Sequence, residues 1–184
     1  MIISTTVQRH HLRAVLISAG EGDIRSYLNG VFIERHPGTV YLVATDGHRA
    51  LVAKEILDKD EKQAEISFVV PRDLLKGLKS NQKLPKVTLD YDTDTQIVTL
   101  TDPATGGAIS AKALEGRYPD WRRVLPEVVS GELQHFNSSF MGDLAKTAAM
   151  LNSKAGDYAP HIHHNGPRGA AIVACHGHDD VLGL

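Results

Sequence analysis

One order of patterns recurs three times along the 184 residues: a strand-like run, a helical period, then about three more strand-like runs. This recurrence constrains the fold more than any single motif. Each pass is a supersecondary unit too small to bury its own apolar face, so the units must complete one another. In the first pass Ile2–Val7 reads as a short strand. From Arg9 the period lengthens, with Leu12, Val15, Leu16 and Ala19 along one face of a helix that Gly20 and Gly22 end. Strands are predicted at Tyr27–Glu34, Thr39–Thr45 and Arg49–Ile56, divided by the turn signals His36-Pro37-Gly38 and Asp46-Gly47.

The second pass follows the charged link Asp58–Glu61. It has a strand at Glu65–Val70 and Pro71 where a first helical turn accepts proline, then an apolar helical face of Leu74, Leu75 and Leu78. Strands are predicted at Lys86–Tyr91, Gln96–Thr101 and Ala108–Leu114, and the Pro-bounded segment Tyr118–Pro126 closes the unit. The third pass opens with a strand at Glu132–Phe136. Asn137 or Ser138 caps a helix whose apolar face is Met141, Leu144, Ala145, Ala148 and Leu151. Its strands lie near Tyr158–His164, Ala170–Cys175 and Asp179–Leu184. The chain is thus expected to be an α+β protein with helices on one face of antiparallel sheets. Residues 1–126 form one domain of two units (1–57 and 58–126), and 127–184 form a third. A lone helix on a small sheet is too thin to be stable, so units should pair edge to edge. An odd number leaves the third unit seeking a partner in another subunit.

A net charge of −2 supplies no overall basic field, so any nucleic-acid contact must come from a local patch. Cys175 is the only cysteine, which rules out an internal disulfide and points to a reducing, cytoplasmic setting. Arg9, His10, His11 and Arg13 interrupt the N-terminal run where a signal peptide would be apolar, and no apolar stretch approaches the ~18 residues of a membrane span. No membrane is expected as a partner.

Two clusters offer chemistry. The first is the hairpin Thr39–Lys54, whose Asp46-Gly47 turn sits between two apolar runs and carries Thr45, Asp46, His48 and Arg49 at its tip. Such a tip has three readings: acid–base chemistry, binding of a partner, or bonding of Asp46 and Thr45 to the backbone of their own turn. No nucleophile or second carboxylate stands at a recognisable spacing from it. The second is His161, His163, His164, Cys175, His176 and His178, where strand alternation makes a zinc site geometrically conceivable although no finger spacing is present.

Four motifs then stand in order over about 100 residues. They are Tyr27-Leu28-Asn29-Gly30, Ala44-Thr45-Asp46-Gly47-His48-Arg49, Phe68-Val69-Val70-Pro71-Arg72 and Gly116-Arg117-Tyr118-Pro119-Asp120-Trp121-Arg122-Arg123-Val124-Leu125-Pro126. On these the chain resembles the sliding clamp of bacterial DNA polymerase III, its β subunit. Leu12–Pro126 resembles the clamp's middle domain, and the stretch from Phe136 on resembles, more weakly, half of its last domain. The resemblance implies the DNA-clamp fold and a non-enzymatic processivity factor that needs no cofactor. It would encircle duplex DNA and tether a polymerase. Three units per chain reach the family's twelve in a homotetrameric ring; a clamp loader stays open as a further partner. By position, Leu28, Thr45, Gly47, His48, Arg49, Pro119, Arg123 and Val124 would form a groove for peptide motifs of polymerases and other clamp-binding proteins. Helix-borne Arg9, His10, Arg13, Arg72, Lys76, Lys79, Lys83, Lys146 and Lys154 would face DNA. The order Ala50-Leu51 reverses the family's, and the sequence ends at Leu184 where the family continues with a Met-Pro-Met tail, which implies a shallower groove. Two alternatives belong to other classes: a clamp-derived module that binds such peptides without encircling DNA, and a metal-binding domain built on the C-terminal histidines.

Overall fold

The computed structural model describes residues 1–57, 65–151, 160–175 and 178–184. In the first unit β1 (Ile2–Gln8) runs into α1 (Arg9–Leu16), followed by β2 (Gly30–His36), β3 (Thr39–Thr45) and β4 (Ala50–Ile56). In the second, β5 (Ile66–Pro71) and the single-turn α2 (Arg72–Leu75) lead to β6 (Lys86–Asp92), β7 (Ile97–Asp102) and β8 (Gly107–Lys112). The third has α3 (Ser138–Leu151), β9 (Pro160–His163), β10 (Ile172–Cys175) and β11 (His178–Gly183). Every ladder is antiparallel. One sheet has the order β1-β6-β7-β8 and the other β5-β2-β3-β4-β11-β10-β9.

The first strand of each of the first two units leaves its own unit. β1 pairs with β6, from Ile2↔Asp92 to Gln8↔Lys86, and β5 pairs with β2, from Gly30↔Pro71 to Arg35↔Ile66. Neither sheet is complete without the other unit's strand, so the exchange binds the two units into one body. The third unit joins by its last strand: β11 lies on β4 with Val181↔Ala53, Leu182↔Val52 and Gly183↔Leu51. Beyond that ladder Ala50 and Leu184 exchange backbone hydrogen bonds of 3.1 and 2.9 Å. One edge of the third unit is therefore occupied within the chain, and the expectation of an outside partner narrows to its β9 side.

Alternation decides what each face of the long sheet buries. Leu51 and Ala53 point to the helix layer, where they join Leu12, Val15, Ile33, Leu42, Leu75, Ala148 and Leu151. Val52 points the other way, into a smaller cluster with Leu28, Val43, Val69, Tyr118 and Trp121. That second face is covered by the chain after β8. Tyr118 stacks on Phe32 at 4.5 Å and Trp121 lies 5.4 Å from Tyr41. Each fully buried side chain of this size contributes about 1.5–3 kcal/mol.

Three expectations need correction. Glu132–Phe136 is not a strand. In the first two units this element pairs with the sibling unit's sheet, and here its neighbours are instead the 164–166 turn, through Gly131 N–H to His164 O (2.9 Å) and Gly166 N–H to Glu132 O (2.8 Å). β2 starts at Gly30 rather than Tyr27, because Ser26–Leu28 form a 3-10 turn, and the Asn29 side chain closes the preceding loop by accepting from Asp23 N and donating to Asp23 O, both at 2.8 Å. On α3 Ala145 is exposed and Thr147 takes its place in the buried face. The predicted strand start at Tyr158 and the link Asp58–Glu61 lie outside the described residues.

Candidate functional site

The Asp46-Gly47 turn is tied from within. Thr45 Oγ1 donates to Arg49 O (2.6 Å) and accepts from Gly47 N (3.0 Å), while Asp46 Oδ1 accepts from His48 N (2.9 Å) and Arg49 N (3.1 Å). Gly47 has φ +91, which only glycine adopts without strain. Thr45 and Asp46 therefore bond the backbone of their own turn, and their side-chain oxygens are not poised for chemistry.

Arg49 reaches out of the turn. Its Nε donates to Asp46 Oδ2 (3.1 Å), its Nη1 to Asp143 Oδ2 on α3 (2.7 Å) and its Nη2 to Ile17 O at the end of α1 (3.3 Å). The guanidinium also lies 4.8 Å from the centroid of the Phe140 ring, on which His48 stacks at 6.2 Å. Arg49 and Lys146 hold the Asp143 carboxyl below its usual range, the Lys146 hydrogen bond being the larger cause. The hairpin tip of the first unit is thus fastened to the helix of the third.

Between them opens a groove of about 430 Å³. It is lined by Leu28, Thr45, Gly47, His48, Arg49, Pro119 and Val124, seven of the eight residues expected there. Arg123 is the exception. It lines a separate hollow beside Glu34 and Arg122, on the side where Arg122 grips Glu34 (2.8 Å) and stacks over Trp121 at 4.1 Å. The structure adds walls that were not among the expected groove residues: Trp121 from the segment after β8, Phe136, Phe140 and Leu144 from the third unit, Ile162 and Val173 from its strands, and Leu184 just after β11. Phe136 and Phe140 stand four residues apart around a helix cap, a spacing that could have marked them. Polar groups sit at the rim, among them Arg25, whose hydrogen bonds hold the neighbouring Asp23 carboxyl down at about 2. An apolar floor with a charged rim suits an extended peptide carrying one or two large apolar side chains.

The expected cationic residues divide by environment. Arg9 does not present its charge to solvent: it is 2% exposed, and its guanidinium makes a two-pronged contact with Asp102 (Nη1 to Oδ2, 2.7 Å) and donates to Leu84 O (3.1 Å). It leaves the candidate nucleic-acid set, as a buried counter-ion. Arg72 Nη1 donates to Leu16 O (3.0 Å) and Ala19 O (3.2 Å), capping the carbonyl end of α1. Lys76 is exposed and pairs with Asp73 (2.9 Å), and Lys146 is exposed and pairs with Asp143 (2.7 Å). Lys79 and Lys83 are exposed and Arg13 half-buried, and none of the three makes an ion pair among the described residues. His10 is half-buried beside His11, and burial together with the neighbouring imidazoles pushes it down to about 4. Lys154 lies outside the described residues, as does His176 of the histidine cluster.

Comparison with known proteins follows the same line. The family model described as DNA polymerase III beta subunit, central domain, matches residues 2–120. The beta sliding clamp of Vibrio cholerae is 31% identical over 155 residues, covering 82% of this chain and 40% of the relative. That of Pseudomonas aeruginosa is 33% identical over 143 residues, covering 72% of this chain and 35% of the relative. The chain therefore spans about two fifths of the length of these curated relatives. The crystal structure of a DNA polymerase III beta subunit from Thermotoga maritima matches in fold, with a TM-score of 0.74 at 17% identity over 98% of this chain and 64% of that one.

Proposed function

This chain belongs to the DNA polymerase III beta subunit family, and on that premise we propose that it acts as a sliding clamp: copies of it close around duplex DNA and hold a polymerase by a short peptide. The observation that carries the reading is the groove at the join of β4 and β11, where seven residues expected from family motifs meet the apolar walls of the third unit. The role is one of binding, since the Thr45 and Asp46 side chains at the hairpin tip bond their own turn and Arg49 joins it to α3. DNA is held by Arg13, Lys79 and Lys83, with Lys76 and Lys146 adding charge around them. A ring retains DNA by topology, so each contact can be weak, with a salt slope of about 0.9 per phosphate neutralised.

The sheet ends suggest how such a ring closes. β8 ends the four-stranded sheet with all but one of its residues exposed, Ile109 at 53%. Paired antiparallel with itself about a two-fold axis, it would continue the sheet into a second copy. The β9 side of the third unit would meet the same side of another copy and take up an exchanged strand, as β2 takes up β5. Alternating the two contacts closes four chains. Light scattering should report four chains per particle, and Ile109→Lys should leave dimers; a wild-type monomer at micromolar concentration overturns the ring.

Function is tested on nicked circular DNA. The loaded protein should stay bound and be released on linearisation. Retention that ignores linearisation, combined with binding of a Leu- and Phe-bearing polymerase tail peptide, would instead favour the non-encircling peptide module. Failure to bind that peptide removes the groove assignment.

A further inference from the structure

We propose that His11, His178 and Asp180 form a divalent transition-metal site, best matched to Zn²⁺, that fastens α1 of the first unit to β11 of the third. His11 is 3% exposed, and its Nδ1 lies 2.8 Å from Glu55 Oε1. Both oxygens of Glu55 also accept from Gln8 N, at 2.9 and 3.0 Å, so Glu55 acts as an acceptor and the His11 proton belongs on Nδ1. That tautomer turns the Nε2 lone pair away from Glu55. Nε2 is buried, has no hydrogen-bond partner among the described residues, and stands 3.2 Å from Asp180 Oδ2. Two acceptors facing each other at that distance repel unless a cation lies between them.

The third donor is already in place. His178 Nδ1 is 3.7 Å from Asp180 Oδ1, and one ligand atom from each of the three residues lies within 4.8 Å of the others. Zinc bonds of about 2.0–2.2 Å put tetrahedral ligands somewhat closer than this, a gap that part-exposed side chains close by small rotations. The His10 ring, 4.2 Å from His11 and 6.5 Å from His178, stands beside the fourth position. His10 and His178 line the cleft between α1 and the end of α3, which gives the ion a way in. The Glu55–His11 pair is the carboxylate–imidazole arrangement that fixes a ligand's tautomer and raises its basicity. Of the described histidines that the sequence grouped near the C-terminus, His178 alone belongs to this trio. Its partner comes from the opposite end of the chain and was invisible to spacing arguments.

The test uses the untagged full chain stripped of metal, titrated with Zn²⁺ against a chromophoric chelator, with elemental analysis for stoichiometry. One ion per chain is expected, along with four-coordinate visible bands on substitution by Co²⁺. The double variant His178→Ala/Asp180→Ala, at part-exposed positions, should bind Zn²⁺ at least 100-fold more weakly, while His161→Ala/His163→Ala binds as wild type. Glu55→Gln, which touches no metal, should weaken binding roughly 10–100-fold. Added Zn²⁺ should raise the melting temperature of the wild type and not that of the double variant. Absence of stoichiometric zinc, or binding that survives His178→Ala/Asp180→Ala, overturns the proposal; the first result would make a shared proton the cation between His11 and Asp180.

Discussion

Arg49→Ala separates the two roles open to the hairpin tip, because the side chain both lines the groove and fastens the first unit to the third. Its strongest single contact is Nη1 to Asp143 Oδ2 at 2.7 Å, with Arg49 15% and Asp143 23% exposed. A charge-assisted hydrogen bond contributes about 1.5–3 kcal/mol, against about 0.2–1 kcal/mol for an exposed ion pair, and this burial puts the contact between the two. The bond to Ile17 O and the ring of Phe140 each add about 0.5–1 kcal/mol. Two compensations limit the loss: Asp143 keeps Lys146 at 2.7 Å, and Asp46 keeps the N–H groups of His48 and residue 49. The expected cost is about 2–3 kcal/mol, a sizeable share of the 5–15 kcal/mol typical of a folded domain. Urea unfolding of Arg49→Ala, Asp143→Ala and the pair should show a lowered midpoint at unchanged slope and a coupling of about 1–2 kcal/mol. A loss under about 0.5 kcal/mol, or strict additivity, would refute the fastening. Peptide affinity, measured on the same variants well below their unfolding midpoints, then reports the binding role alone.

Asp102→Asn leaves the buried Arg9 guanidinium without its counter-charge and should cost about 3 kcal/mol at neutral pH. The Arg9 hydrogen bonds hold Asp102 below the usual carboxyl value, so its contribution is present above the unfolded value of about 3.9 and disappears as pH falls through the lower folded value. Acid unfolding of the wild type below about pH 4 should therefore be steeper than that of Asp102→Asn. Gly30→Ala drives a methyl into Val70 O and to 2.9 Å from Val69 Cγ1 in the exchanged β2–β5 ladder, and thermal melts should show at least ~2 kcal/mol lost. Phe140→Ala removes the ring under Arg49 and His48 from the groove wall. Fluorescence anisotropy should find the polymerase tail peptide about tenfold weaker, with no change in subunit count.

The sequence was legible wherever structure follows from neighbours in the chain. The Asp46-Gly47 hairpin fell where turn chemistry put it, with β3 running from Thr39 to Thr45 between the two turn signals. Asn137 caps α3, its Oδ1 accepting from Ser139 N at 2.9 Å. Arg9 shows where legibility stops. It lies three residues before Leu12 and so on the apolar face of α1, a position the helical period reveals. The Asp102 that makes burial affordable is 93 residues away, at the end of β7. Strand 132–136 failed for a related reason: its residues suit a strand, but a strand needs a sheet to join, and the exchange seen for β1 and β5 offers it none here.

The groove is the clearest case of a site that no single stretch encodes. The family motifs supply one wall from Leu28, the hairpin and Pro119–Val124; the other comes from a helix and strands that reach it only because β11 docks on β4. Even the reversed pair Ala50-Leu51 finds its meaning there. Leu51 is 1% exposed and fills the helix-side core at the groove floor, whereas Ala50 contributes chiefly its backbone, to the bonds with Leu184. A large residue in the core beside the groove and a small one at the seam give a well-packed join. The metal site proposed at His178 and Asp180 lies on the same strand, β11, a few residues before its groove end. One strand would then carry both the fastening and the rim, so that whatever fixes β11 against β4 also fixes the shape offered to a peptide.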